Sequence, residues 1–118
     1  MILGIGIDIV DIARFTKTSK SPRFKLKYFS SSEQSLPDQS LAGHFAAREA
    51  FFKALDQQGL FNEKNLEVTN DSSGKPKFIF FGELRKYAED KFVYLSISHC
   101  TEYAVAMVVI ENLKVKIL

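Results

Sequence analysis

Tryptophan is absent from this chain of 118 residues, and cysteine occurs once. The lone thiol, Cys100, has no partner with which to close an internal disulfide, which fits a reducing compartment. A basic leader is also missing: the apolar amino terminus MILGIGIDIVDI carries Asp8 and Asp11, so it reads neither as a signal peptide nor as a membrane span. The chain is therefore expected in the cytoplasm, away from membranes. The net charge of +2 is too small to argue for nucleic acid. There is no internal repeat and no low-complexity tract. What remains is 46% hydrophobic and 25% charged residues in a length that suits a single domain, so residues 1–118 are expected to fold around one core.

The net charge is small, but charge is unevenly placed. Between positions 14 and 27 lie six basic residues (Arg14, Lys17, Lys20, Arg23, Lys25, Lys27) and no acid, a patch suited to an acidic partner or simply a solvated face. Residues 2–12 read as a strand with Leu3, Ile5, Ile7 and Ile9 as its half-buried apolar side, while the other side carries Gly4, Gly6 and Asp8. A short basic helix is expected at 13–19, and the Ser/Pro-rich stretches at 18–22 and 30–40 bracket a less regular segment. The clearest helix spans 41–58, after Ser40 as cap and before Gly59. Leu41, Phe45, Phe52 and Leu55 form its bulky stripe; Gly43, Ala46, Ala47, Ala50 and Ala54 form a second side that would let a sheet or ligand come close. Two strands at 66–69 and 77–81 flank a turn, a helix is expected at 83–90, and strands at 92–98 and 103–110 read as a hairpin around a four-residue loop. The tail, 113–118, is a candidate edge strand. This predicts an α+β fold with a mainly antiparallel sheet packed around one long central helix.

Four places carry chemistry. Asp8 is a carboxylate in an otherwise apolar strand, costly there unless it is paired, exposed or bound to a metal. Glu49 and Lys53, four apart on the long helix, project from one face; alone they read as a surface ion pair, but on a helix apolar on two sides they must face a cleft, a partner or the core. Two carboxylates from different elements suit Mg²⁺, which takes one or two protein carboxylates and completes its octahedron with water and substrate phosphates. A nearby Lys then neutralises phosphate charge, which points towards phosphoryl-type transfer. His99, ending Ser96-Ile97-Ser98-His99 at a turn, can donate to a phosphate or move a proton. Gly74-Lys75-Pro76 offers a charge on a stiff turn, as an ordinary hairpin or as an anion contact. Arg48 falls inside the Leu/Phe stripe, so it is either buried against a carboxylate or reaches across an interface.

In chain order these segments resemble the holo-acyl-carrier-protein synthases, the short bacterial class of 4′-phosphopantetheinyl transferases. The matching stretches are Gly4-Ile5-Gly6-Ile7-Asp8-Ile9-Val10 with Arg14, Phe45 to Ala54 around Glu49 and Lys53, Gly74-Lys75-Pro76, and Ser96-Ile97-Ser98-His99 with Tyr103-Ala104-Val105-Ala106. The resemblance implies transfer of 4′-phosphopantetheine from coenzyme A to a serine of apo acyl carrier protein, in support of fatty acid biosynthesis. It implies Asp8 and Glu49 as Mg²⁺ ligands, Glu49, Lys53 and His99 as the catalytic set, and Lys53, Gly74, Lys75, Pro76, Ser98 and His99 as contacts to coenzyme A. Either Glu49 or a metal-bound water would take the serine proton. Arg14 and Lys17 would dock the acidic helix of the carrier. A homotrimer is implied too, with His99 and Lys75 serving a site whose Asp8 and Glu49 come from a neighbour. The chain departs from the family in Arg48, where Lys is usual, and in the composition of 30–40. Val10 leaves no third carboxylate on the strand, in keeping with the short class. An idle binding module of the same fold is the rival, and it would have no need of Asp8, Glu49, Lys53 and His99 together.

Overall fold

The computed structural model of the chain describes residues 1–55 and 61–112. The first strand, β1 (Ile2–Asp11), pairs antiparallel with the last, β5 (Tyr103–Asn112), and β5 pairs antiparallel with β4 (Lys91–His99), giving a three-stranded sheet of order β1-β5-β4. A separate antiparallel pair, β2 (Leu66–Asn70) and β3 (Pro76–Phe80), forms around the expected Gly74 turn. The antiparallel strands are thus split between two sheets. The β4–β5 loop is one residue shorter than expected, because His99 still pairs with Ala104 and the Cys100 amide donates to the Tyr103 carbonyl at 2.9 Å.

Between β1 and β2 the chain is helical: α1 (Ile12–Ser19), α2 (Pro22–Tyr28), α3 (Ser31–Gln34) and the long α4 (Asp38–Ala54). A short 3₁₀ turn at Glu63–Asn65 precedes β2, and α5 (Gly82–Ala88) separates β3 from β4. The segment expected to be irregular is therefore two short helices. Their starts explain it: the Ser21 hydroxyl accepts from the Phe24 amide with Pro22 in the first turn, and Ser30 and Glu33 form a reciprocal capping box. Helix α4 begins three residues earlier than the Ser40 cap implied, with Pro37 as the capping residue and no side-chain cap. It stops at Ala54, Leu55 being extended. The rest of the expected helix, 56–58, and the expected tail strand, 113–118, lie outside the described residues.

The packing of β1 reverses the expectation. Its Gly4, Gly6, Asp8 and Val10 side, in register with Ile110, Val108, Ala106 and Ala104, lies against the small-residue side of α4. A Cβ at Gly4 or Gly6 would run into the backbone carbonyl of Ala54 or Ala50, so only glycine permits this approach. Leu3 is half-buried, but Ile5, Ile7 and Ile9 stand 61, 59 and 66% exposed on the outer face, beside Met107 and Tyr94. The core forms instead between α4, the inner face of the sheet and β2, from Leu41, Phe51, Leu66, Val68, Val108 and Ile110 among others.

Candidate active site

Because β1 meets α4 through glycine and alanine, Asp8 is brought to the C-terminal stretch of α4 that carries Glu49 and Lys53. The Lys53 ammonium donates to Asp8 Oδ1 at 2.9 Å and to the Ile7 carbonyl at 3.1 Å. One turn earlier on the same helix, Glu49 is half-buried. Asp8 and Glu49 share the wall of a cavity of about 440 Å³ with Arg14, Phe15, Phe45 and Tyr103. Burial, followed by the negative charges of Glu63 and Asp8, raises the proton affinity of the Glu49 carboxyl above the usual carboxylate range, against the pull of Lys53 and Arg48. Two acids that repel each other across one open cavity, with hard oxygen donors, fit a divalent cation such as Mg²⁺. No cluster of three or more His, Cys, Asp or Glu suited to a metal occurs among the described residues, so water and phosphate oxygens would have to complete the shell.

A second cavity, of about 470 Å³, is lined by Gly74, Pro76 and His99 together with His44, Glu33 and Ile97. Asp71 shapes the turn at its edge: its Oδ1 accepts from the Ser73 hydroxyl and from the amides of Ser73 and Lys75, and these bonds hold its carboxyl below the usual range. Gly74 takes the left-handed conformation the turn needs, φ 86°. Lys75 is exposed and is not part of the cavity wall. His99 opposes Ala104, which opposes Val10, so His99 lies on the α4 side of the sheet; Ser98, opposing Val105, lies on the other face. The two neighbours therefore point apart. From the register, the backbones of His99 and Asp8 are about 12 Å apart, two strands across and two residues along.

Within one chain, then, Asp8, Glu49, Lys53 and Arg14 come together, Gly74, Pro76 and His99 come together elsewhere, and Lys17 stands exposed on α1. Arg48 meets neither expectation: it is buried, and its end nitrogens donate to the carbonyls of Leu66 and Glu63 instead of a carboxylate. The sequence reading missed the buried pair between His44 Nδ1 and Glu33 Oε2, 2.7 Å apart in the floor of the second cavity. Only the Ser30-x-x-Glu33 pattern signalled it, as a capping box. Glu33→Gln is expected to cost roughly 1–3 kcal/mol, because it weakens both the cap and the acceptor for a buried imidazole. Thermal unfolding of the variant checks this; an unchanged midpoint would show the pair to be idle.

The 4′-phosphopantetheinyl transferase superfamily matches residues 4–108 of the chain. Among curated relatives, a holo-[acyl-carrier-protein] synthase from Clavibacter sepedonicus is 41% identical over 116 residues, covering 95% of this chain and 98% of that protein. The namesake from Geotalea daltonii is 40% identical over 127 residues, covering 95% and 100%. Among solved structures, the holo-[acyl-carrier-protein] synthase of Neisseria meningitidis superposes with a TM-score of 0.85 at 32% identity, covering 95% of this chain and all of the other (100%). That of Bacillus anthracis, in complex with CoA (3′,5′-ADP), superposes with a TM-score of 0.79 at 35% identity, covering 95% and 98%.

Proposed function

From its membership of the 4′-phosphopantetheinyl transferase superfamily, to which this chain belongs, we propose a transfer in which Asp8, Glu49 and Lys53 manage the diphosphate of coenzyme A. The chain moves 4′-phosphopantetheine from coenzyme A to a serine of apo acyl carrier protein. In that reaction the serine oxygen bonds to the phosphorus that carries pantetheine. The bond from this phosphorus to the bridging oxygen breaks, and adenosine 3′,5′-bisphosphate leaves.

The observation that carries the proposal is the shared cavity of Asp8 and Glu49 with Lys53 bonded to Asp8. Asp8 and Glu49 would hold Mg²⁺, which would supply charge neutralisation for the diphosphate. Lys53, 53% exposed at its side chain where Asp8 is 17% exposed, is free to turn its ammonium to a phosphate oxygen once Asp8 has another cation. Glu49, whose proton affinity burial raises, is suited to accept the serine proton, directly or through a water that the metal would bind. Gly74, Lys75, Pro76, Ser98 and His99 hold the nucleotide end.

The chain acts as a homotrimer, His99 and Lys75 completing a neighbour's site. The open Ile5, Ile7 and Ile9 face of the sheet supports this, being an apolar surface of the kind that marks an interface. The separation of the His99 and Asp8 cavities within one chain supports it too. No described helix is long and apolar enough to cross a membrane. We place the enzyme in the cytoplasm and in fatty acid biosynthesis.

The test is to incubate the protein with apo carrier protein, coenzyme A and Mg²⁺ and to weigh the carrier. A mass gain of one phosphopantetheine supports the reading; an unmodified carrier contradicts it. Reversing the charge of the exposed Arg14 and Lys17 together is expected to raise the apparent KM for carrier protein by about tenfold, each lost contact removing up to ~1 kcal/mol, with a smaller change in the KM for coenzyme A, whose cavity Arg14 also lines. Equal loss for both substrates would show that the patch is not a docking surface.

A further inference from the structure

Arg48 is only 2% exposed, yet no carboxylate among the described residues reaches it at ion-pair distance. Its end nitrogens are satisfied by two neutral carbonyls, and its Nε–H has no partner among the described residues. A buried cation whose charge is met only by dipoles is costly, and a bound anion would offset that cost. Burial accordingly depresses its proton affinity, while Glu33, Glu63 and Glu49 oppose this from beyond contact.

Arg48 also forms part of the wall of a third cavity, of about 270 Å³. Its apolar lining comes from Leu26, Tyr28, Phe29 and Phe81, and Lys64 supplies a second cation. The one acid in the lining, Glu67, already accepts from the Ser32 hydroxyl at 3.3 Å. Lys27 adds positive charge over the Tyr28 ring, 5.1 Å from its centroid. Two cations face one acid in the lining, with Ser30 and Gln34 as its neutral polar groups. At about 30 Å³ per water-sized unit the chamber takes about nine non-hydrogen atoms. That is enough for a short fatty or aromatic acid and too little for a nucleotide.

We propose that this cavity binds a small carboxylate with an apolar body, its charge compensating Arg48 and its body resting on Leu26, Tyr28, Phe29 and Phe81. The site is distinct from the Asp8 and Glu49 cavity. An aromatic cluster divides them, with Tyr28 against Phe45 at 5.3 Å and Phe29 against Phe15 at 6.3 Å.

The experiment follows the guanidinium Nε–H signals of the ¹⁵N-labelled full chain by NMR while hexanoate or benzoate is added, with hexanamide and benzamide as neutral matches. The expected result is a saturable shift of the Arg48 Nε–H signal with a Kd of ~1 mM or below for the acids, and at least tenfold weaker binding of the amides. Arg48→Lys, which removes that signal, assigns it. Should that variant not fold, the acid-against-amide comparison by calorimetry on the unaltered chain decides the matter. No saturable shift or heat up to ~10 mM acid, or equal affinity for acid and amide, would overturn the proposal.

Discussion

Asp8→Ala is expected to lower phosphopantetheine transfer by at least ~10²–10³-fold, the scale on which removal of one charge-stabilising group acts, while the fold survives. The two effects separate because Asp8 is tied to the rest of the molecule mainly through Lys53. That ion pair is partly exposed, and pairs of this kind contribute ~0–1 kcal/mol, a shift of a few degrees in melting temperature for a chain of this size. The catalytic loss is large because nothing replaces the carboxylate: Val10 offers none two residues on, and Glu49 alone would have to hold the cation. Proton competition adds a pH signature. Since Glu49 holds its proton above the usual carboxylate range, metal loading requires that proton to leave. The Mg²⁺ concentration giving half-maximal rate should therefore already rise as pH falls towards the usual carboxylate range from above. Near-normal turnover of the variant at saturating Mg²⁺, or a requirement for Mg²⁺ that does not vary with pH, would remove Asp8 and Glu49 from the metal site.

Ile7→Lys is expected to dissociate the proposed trimer and abolish most activity without unfolding the chain. Ile7 lies in the middle of the outer strand face, between Ile5 and Ile9 and opposite Met107, and is 59% exposed within one chain. A lysine there is solvated in an isolated protomer but would be buried without a counter-charge in a trimer. Light scattering should fall from three times 13.4 kDa to the mass of one chain, with circular dichroism unchanged and transfer reduced by ~10²-fold or more. A fully active monomer would show that His99 and Asp8 of the same chain suffice.

The sequence leaves the isoleucine face unassigned for a physical reason. Alternation of residues 2–12 separates two faces but does not say which one the chain itself covers, and propensity favours the bulky side. Here the covered side is decided by how closely α4 can approach, and the glycines of β1 with Ala50 and Ala54 of α4 permit backbone contact that isoleucine would forbid. The same two patterns made the site legible: Asp8 follows Gly4 and Gly6 on one face of a strand, and Glu49 and Lys53 share one side of a helix, so docking the small faces brings the charges together. The hairpin around Gly74 was legible from its turn chemistry, and the terminal hairpin from its β-branched runs. The partners of Arg48 were not, since backbone carbonyls of the 3₁₀ turn and β2 leave no mark in side-chain spacing. The opposed directions of Ser98 and His99 were implicit in strand geometry, in which adjacent residues face opposite sides.

The central claim is that one divalent ion bridges the acid of the first strand and the acid of the long helix while holding a diphosphate. Crystals grown with coenzyme A and Mn²⁺ as a heavier stand-in test it through the anomalous signal. The account predicts a single peak about 2.0–2.3 Å from an oxygen of Asp8 and of Glu49 in the same protomer and in contact with the diphosphate. A peak that touches neither or only one of these carboxylates, with Lys53 still bonded to Asp8, would contradict it.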